Sequence, residues 1–234
     1  MSKLAAITGG TKGIGRALVE KFAAAGFDIV TCARQAVDLT SLKKEVEAKH
    51  AVKVHVKAAD LSDRHQVSAF TDFVGGLNQP LDVLINNAGY FAPGAITDEP
   101  EGALEQMVAA NLYSAYHITR ALVGPMKERK QGHVFNMCSV ASIKAYPNGG
   151  SYAISKFALL GFSKTLREEL MSSGIRVTAI LPGATRTTSW DATDLPEERF
   201  MKPEDVADAV FGAFGLSSRS VVEEIIIRPQ AGDI

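Results

Sequence analysis

The chain has 234 residues, of which 46% are hydrophobic and 22% charged, enough apolar material to bury a sizeable core. Its 25 basic and 26 acidic side chains leave a formal charge of -1, so no overall field favours nucleic acid or an anionic membrane. No apolar run approaches the ~18 residues of a membrane helix and no cleavable leader pattern precedes the first one; Cys32 and Cys138 form no Cys-x-x-Cys pair, so a cytoplasmic, reducing compartment is the simplest expectation.

Apolar runs predict strands over residues 3–8, 28–33, 52–58, 81–85, 132–137, 175–181 and 221–228. Helical spacing fills the intervals over 16–25, 39–49, 62–74, 104–127, 152–171 and 203–214. Strict alternation of strand and helix implies right-handed crossovers and a sheet covered on both faces. The expectation is therefore a single α/β domain over 1–234, a Rossmann-type three-layer sandwich with a mostly or fully parallel sheet of about seven strands. The least regular stretch is 182–202, and 184–202 is long enough to form a substrate lid.

Two local patterns carry chemistry. Gly9, Gly13 and Gly15 follow the first strand and open the first helix, where backbone N–H groups and the helix dipole together favour a phosphate. Tyr152 and Lys156 stand one helical turn apart, so both side chains leave one face. A nearby ammonium stabilises phenolate, which would draw Tyr152 toward the range useful for proton transfer. Taken alone, the pair reads more readily as a solvated lysine beside a half-buried tyrosine, and the glycines as a tight strand-to-helix turn.

The glycine spacing is not G-x-G-x-x-G but T-G-x-x-x-G-I-G over Thr8–Gly15, and in this the chain resembles the short-chain dehydrogenase/reductase family. The resemblance runs along nearly the whole chain: Asp60-Leu61, Asn86-Asn87-Ala88-Gly89, Asn111, Ser139, Tyr152 with Lys156, and Pro182-Gly183 with Thr187 follow in the family's order. It implies hydride transfer between a nicotinamide and a carbonyl carbon, with Tyr152 as the general acid or base. Lys156 would lower the tyrosine pKa and hold the nicotinamide ribose, Ser139 would polarise the substrate oxygen, and Asn111 would anchor a water behind Lys156. The cofactor contacts it implies are Gly9, Thr11, Lys12, Gly13, Ile14, Gly15, Asp60, Leu61, Asn87, Ala88, Gly89, Tyr152, Lys156, Pro182, Gly183 and Thr187.

After the second strand comes Arg34, and no carboxylate occurs until Asp38. The acid that would bind the ribose hydroxyls of NAD is missing and a guanidinium stands in its place. Lys12 opposes the dipole of the helix it opens, which is tolerable mainly where an anion sits. Together Arg34 and Lys12 favour NADP(H) over NAD(H) through its 2'-phosphate.

Ligands of open α/β sheets lie at the carboxyl ends of the strands, so Tyr90, Phe91, Val140, Ala141, Tyr146 and Trp190 are the expected substrate walls, mostly apolar or aromatic. They suit a small-molecule carbonyl or alcohol. The five histidines show no metal-ligand spacing and no metal is expected. Family members assemble as dimers or tetramers through the helices matching 104–127 and 152–171, so a homo-oligomer is expected, with neither nucleic acid nor membrane as partner. A reductase of 3-oxoacyl thioesters and a non-catalytic NADPH sensor are the alternatives. The ending Arg228–Ile234 lacks the V-x-G-G of thioester reductases and resembles instead the branch containing sepiapterin reductases and hydroxy-acid dehydrogenases.

Overall fold

The computed structural model describes residues 2–191 and 193–234, leaving Ala192 of the expected lid outside the described residues. Seven strands, β1 (Leu4–Thr8), β2 (Asp28–Ala33), β3 (Val54–Ala58), β4 (Leu81–Asn86), β5 (Gly132–Met137), β6 (Ile175–Pro182) and β7 (Glu224–Ile227), form one sheet in the order β3-β2-β1-β4-β5-β6-β7. Every pairing is parallel. The Rossmann-type expectation is borne out.

Strand side chains alternate between the two faces, and the core divides accordingly. Ala5, Ile7, Ile29 and Ile85 pack with Phe22 of α1 (Gly13–Ala24), Leu42 of α2 (Ala36–Lys49) and Val206 of α7 (Pro203–Phe214). Leu4, Ala6, Val30 and Leu84 pack on the opposite face with Phe70 of α3 (Arg64–Gly75), Ile118 of α5 (Ser114–Arg129) and Leu166 of α6 (Gly150–Met171). Because both faces are covered, the strands are apolar at nearly every position rather than at every second one.

Polar groups bridge neighbouring strands inside this core. Asn86 and Asn136 are register partners on β4 and β5, and Asn86 Nδ2 donates to Asn136 Oδ1 at 2.8 Å and to Thr119 Oγ1 at 2.9 Å. Asn136 Nδ2 donates onward to Ser163 Oγ of α6 at 2.9 Å. Farther out, His133 is fully buried and stacked on Phe135, with Nε2 2.7 Å from Thr178 Oγ1. The Thr178 hydroxyl already donates to the Val222 carbonyl, so the ring supplies the hydrogen from Nε2 and Nδ1 has no partner. Burial holds this imidazole far below its ordinary value, at about 2.

Several boundaries differ from the sequence expectation. β3 starts at Val54 and β7 spans only Glu224–Ile227; α2 starts earlier, at Ala36, and α3 starts at Arg64 because Asp63 caps it through His65 N and Gln66 N. The helix expected over 104–127 is α4 (Ala103–Val108), a π-helical turn (Ala109–Tyr113) and α5, with no local sequence signal for the break. None of the helices described is long and apolar enough to cross a membrane.

Candidate active site

The sheet order reverses between β1 and β4, and the loops leaving those two strands open a crevice. One hydroxyl ties them together. Thr8 Oγ1 accepts from Asn87 N and Ala88 N, both at 2.9 Å, while Asn87 Nδ2 returns a bond to the Thr8 carbonyl at 2.8 Å. Thr31 fixes the glycine turn from β2, donating to the Ile7 carbonyl and accepting from Gly10 N. Gly13 has φ of +52°, and a Cβ there would stand 2.8 Å from Thr187 Cγ2, so both backbone shape and room require glycine.

A cleft of about 870 Å³ runs from this turn to β5 and α6. All the residues expected to hold a cofactor and all six expected substrate walls line it, together with Ser139. Asn111 does not.

At the far end Lys12 and Arg34 are exposed. Lys12 Nζ pairs with Asp38 Oδ2 at 3.3 Å, so a carboxylate of α2 stands beside the cation at this helix N-terminus. Asp38 itself lines the cleft. Asp60 closes its own turn by accepting from Ser62 N and Oγ at 3.0 and 2.7 Å.

At the near end Tyr152 and Lys156 share one face of α6, as their spacing requires. Lys156 is 4% exposed, and its Nζ donates to the Met137 carbonyl at 2.7 Å while lying 5.7 Å from the centre of the Tyr152 ring. Burial pulls the lysine down to about 8. Burial also pushes the Tyr152 phenol up to about 12, with hydrogen bonding from Ser139 acting in the opposite sense. Desolvation thus holds the phenol above its ordinary value, while Lys156 Nζ is turned toward the Met137 carbonyl. Ser139 follows β5 and caps a short 3-10 turn, its Oγ accepting from Ala141 N at 3.1 Å.

Asn111 sits in the π-helical turn, 1% exposed. Its Oδ1 accepts from Tyr90 N at 2.6 Å, and its Nδ2 donates to the Tyr90 carbonyl and to Ser155 Oγ, both at 2.9 Å. Both amide hydrogens are therefore committed to protein partners.

Phe91 meets Tyr152 edge-on with centroids 4.8 Å apart, and Trp190 packs against Phe200 at 5.1 Å. Gln106, Lys144 and Asp233 also line the cleft, and Lys144 Nζ stands 3.6 Å from Asp233 Oδ2. Both ends of the 184–202 segment are tied, with Arg186 N donating to the Met201 carbonyl and Met201 N to the Ala184 carbonyl. No cluster of metal-ligating side chains occurs among the described residues.

A family model described as short chain dehydrogenase matches residues 3–198. The sepiapterin reductase of Chlorobaculum tepidum is 36% identical over the whole of this chain and 99% of its own length. Among solved structures, an alcohol dehydrogenase from the archaeon Thermococcus sibiricus complexed with 5-hydroxy-NADP superposes with a TM-score of 0.93 at 26% identity, covering 100% of this chain and 99% of that one. L-sorbose reductase from Gluconobacter frateurii, complexed with NADPH and L-sorbose, gives a TM-score of 0.90 at 27% identity, covering 97% of this chain and 95% of the other.

Proposed function

The chain belongs to the short-chain dehydrogenase family, and from that premise we propose that it is an NADP(H)-dependent oxidoreductase interconverting a small carbonyl compound and its alcohol. One observation carries the reading: Tyr152, Lys156 and Ser139 converge at one end of a cleft whose other end is the glycine turn. The residues present fit a dinucleotide. Gly13 leaves the backbone bare at the start of the twelve-residue helix α1, where N–H groups take a pyrophosphate. Arg34, with Lys12, takes the 2'-phosphate. Solved relatives carrying NADPH or an NADP derivative support this choice.

When bound, the nicotinamide supplies or accepts the hydride. Ser139 Oγ holds the substrate oxygen, and Tyr152 delivers a proton to it as negative charge develops. A phenol held at about 12 carries its proton at neutral pH, as a group that donates a proton must. Lys156, whose Nζ stands 5.7 Å from the centre of the tyrosine ring, would hydrogen-bond the nicotinamide ribose, and Asn111 keeps Tyr90 and Ser155 in place around the pair. The segment 184–202 serves as the lid, its Thr187, Thr188, Ser189 and Trp190 facing the cleft.

The sepiapterin reductase relative makes sepiapterin the first substrate to try. Oxidation of NADPH should be followed over sepiapterin, diketones, quinones and acetoacetyl thioesters. Turnover of a small carbonyl supports the reading, turnover of thioesters alone replaces it with the acyl-thioester alternative, and turnover of none rejects it. Exposed Tyr113, Tyr116, Ile154 and Phe157 on the π-turn, α5 and α6 support assembly through those helices. Light scattering of the wild type and Phe157→Glu tests this, a monomeric wild type counting against it.

A further inference from the structure

The chain between β4 and α4 is fastened to α6 at two points. At one, Asn111 bridges Tyr90 and Ser155. At the other, the Glu99 carboxylate accepts from Ser151 N, at 2.9 Å to Oε1 and 3.3 Å to Oε2, and from the Ser151 hydroxyl. Ser151 and Ser155 are 3% and 0% exposed and stand one helical turn apart, and each immediately precedes a member of the Tyr152–Lys156 pair. Phe91, from the fastened segment, packs edge-on against Tyr152.

The helix needs this outside help. Its N-cap position is Gly149, which offers no side-chain cap, although the first turn of a 22-residue helix leaves N–H groups unpaired and carries positive potential. Glu99 supplies the missing acceptor and the favourable charge from 52 residues away in sequence. The fit is close. Gly150 has φ of +36°, and a Cβ there would collide with Glu99 Oε1 and the Gly94 carbonyl oxygen, while Gly94 N donates to the Asn148 carbonyl at 3.0 Å.

We infer that Glu99 is a positioning residue for the reaction: by capping α6 at Ser151 it fixes the direction in which the adjacent Tyr152 enters the cleft. This role rests on the carbonyl chemistry proposed above.

The test compares wild type, Glu99→Ala, Glu99→Gln and Tyr152→Phe in the full chain. Turnover is expressed per NADPH-binding site, alongside KM for NADPH and deuterium exchange of segments 149–156 and 160–171 in the free protein. Glu99→Ala should lower kcat by roughly 10- to 100-fold, the scale of a misplaced catalytic group, with KM for NADPH within about twofold. Exchange should quicken in 149–156 and stay unchanged in 160–171. Glu99→Gln keeps an oxygen that can accept from Ser151 N and should regain most of the lost kcat. Unchanged kcat per site in Glu99→Ala, with Tyr152→Phe inert, overturns the role of Glu99 and leaves the proposed chemistry standing. An active Tyr152→Phe, or a wild type inert on every carbonyl, takes down the chemistry and this role with it. Equal loss of protection along all of α6, with NADPH binding lost in parallel and no recovery in Glu99→Gln, marks Glu99 as a folding residue and also overturns the inference.

Discussion

Lys156 Nζ donates to the carbonyl oxygen of Met137 at 2.7 Å, which ties the amine to the last residue of β5, two positions before Ser139. Burial has lowered this lysine from 10.5 to about 8. Between those two pH values the unfolded chain binds the proton and the folded chain does not, so stability rises with pH across the window. Denaturant unfolding from pH 7.5 to 10.5 should show a rise of up to about 3 kcal/mol that Lys156→Met lacks. Parallel curves for the two proteins would contradict the buried, largely desolvated amine.

Removing the Tyr152 hydroxyl separates proton delivery from binding. Tyr152→Phe keeps the ring and its edge contact with Phe91 and should lower kcat by at least ~10²- to 10⁴-fold. NADPH affinity, measured by fluorescence titration, should change by no more than about twofold. Substantial carbonyl reduction by this variant would mean that another group delivers the proton.

The Lys12–Asp38 pair sets two opposed charges where the 2'-phosphate is proposed to bind. Arg34→Ala removes a charge-assisted partner and should weaken NADPH by roughly tenfold or more while leaving NADH nearly unaffected. Asp38→Asn frees Lys12 and removes a repelling carboxylate, so NADPH should tighten about two- to fivefold with NADH again little changed. Titration of both nucleotides against both variants checks this, and equal effects on NADPH and NADH would reassign the two side chains.

Acid stability should report on His133. Its folded form stays neutral down to about 2, whereas in the unfolded chain it takes up a proton near 6.5. Below that upper value the unfolded state binds the extra proton, so this residue withdraws up to about 1.4 kcal/mol of stability for each unit of falling pH. His133→Phe retains a ring to stack on Phe135, and its unfolding free energy between pH 7 and 4.5 should fall less steeply than that of the wild type.

Features resting on short-range pattern were legible in the sequence. The parallel sheet follows from seven apolar runs separated by helical spacing, and the glycine turn, Ser139 and the Tyr152–Lys156 pair follow from local motifs in a recognisable order. Features resting on distant partners were not. Glu99 lies 52 residues from the turn it caps, and nothing near it marks it as a helix cap. The upward shift of the Tyr152 phenol comes from burial, and the direction of Lys156 from the Met137 carbonyl, and spacing sets neither. Nothing near Asp38 in sequence marks it as the partner of Lys12, to which the fold brings it. The π-turn that carries Asn111, Ala109–Tyr113, interrupts an otherwise helical pattern, and the Asn111 side chain is held by Tyr90 and Ser155, 21 and 44 positions away.

The buried amide pair Asn86–Asn136 makes the alignment of β4 with β5 self-checking. A slip of one residue would turn Asn136 to the opposite face of the sheet and strand both amides in apolar surroundings, at about 1–3 kcal/mol for each polar group left unpaired. Ser139 lies three residues beyond Asn136, so the same slip would carry it about 3.3 Å along the strand, out of reach of the oxygen it is proposed to hold. A chain that has folded with the wrong register is therefore both destabilised and inactive, and quality control that removes unstable chains also removes inert ones.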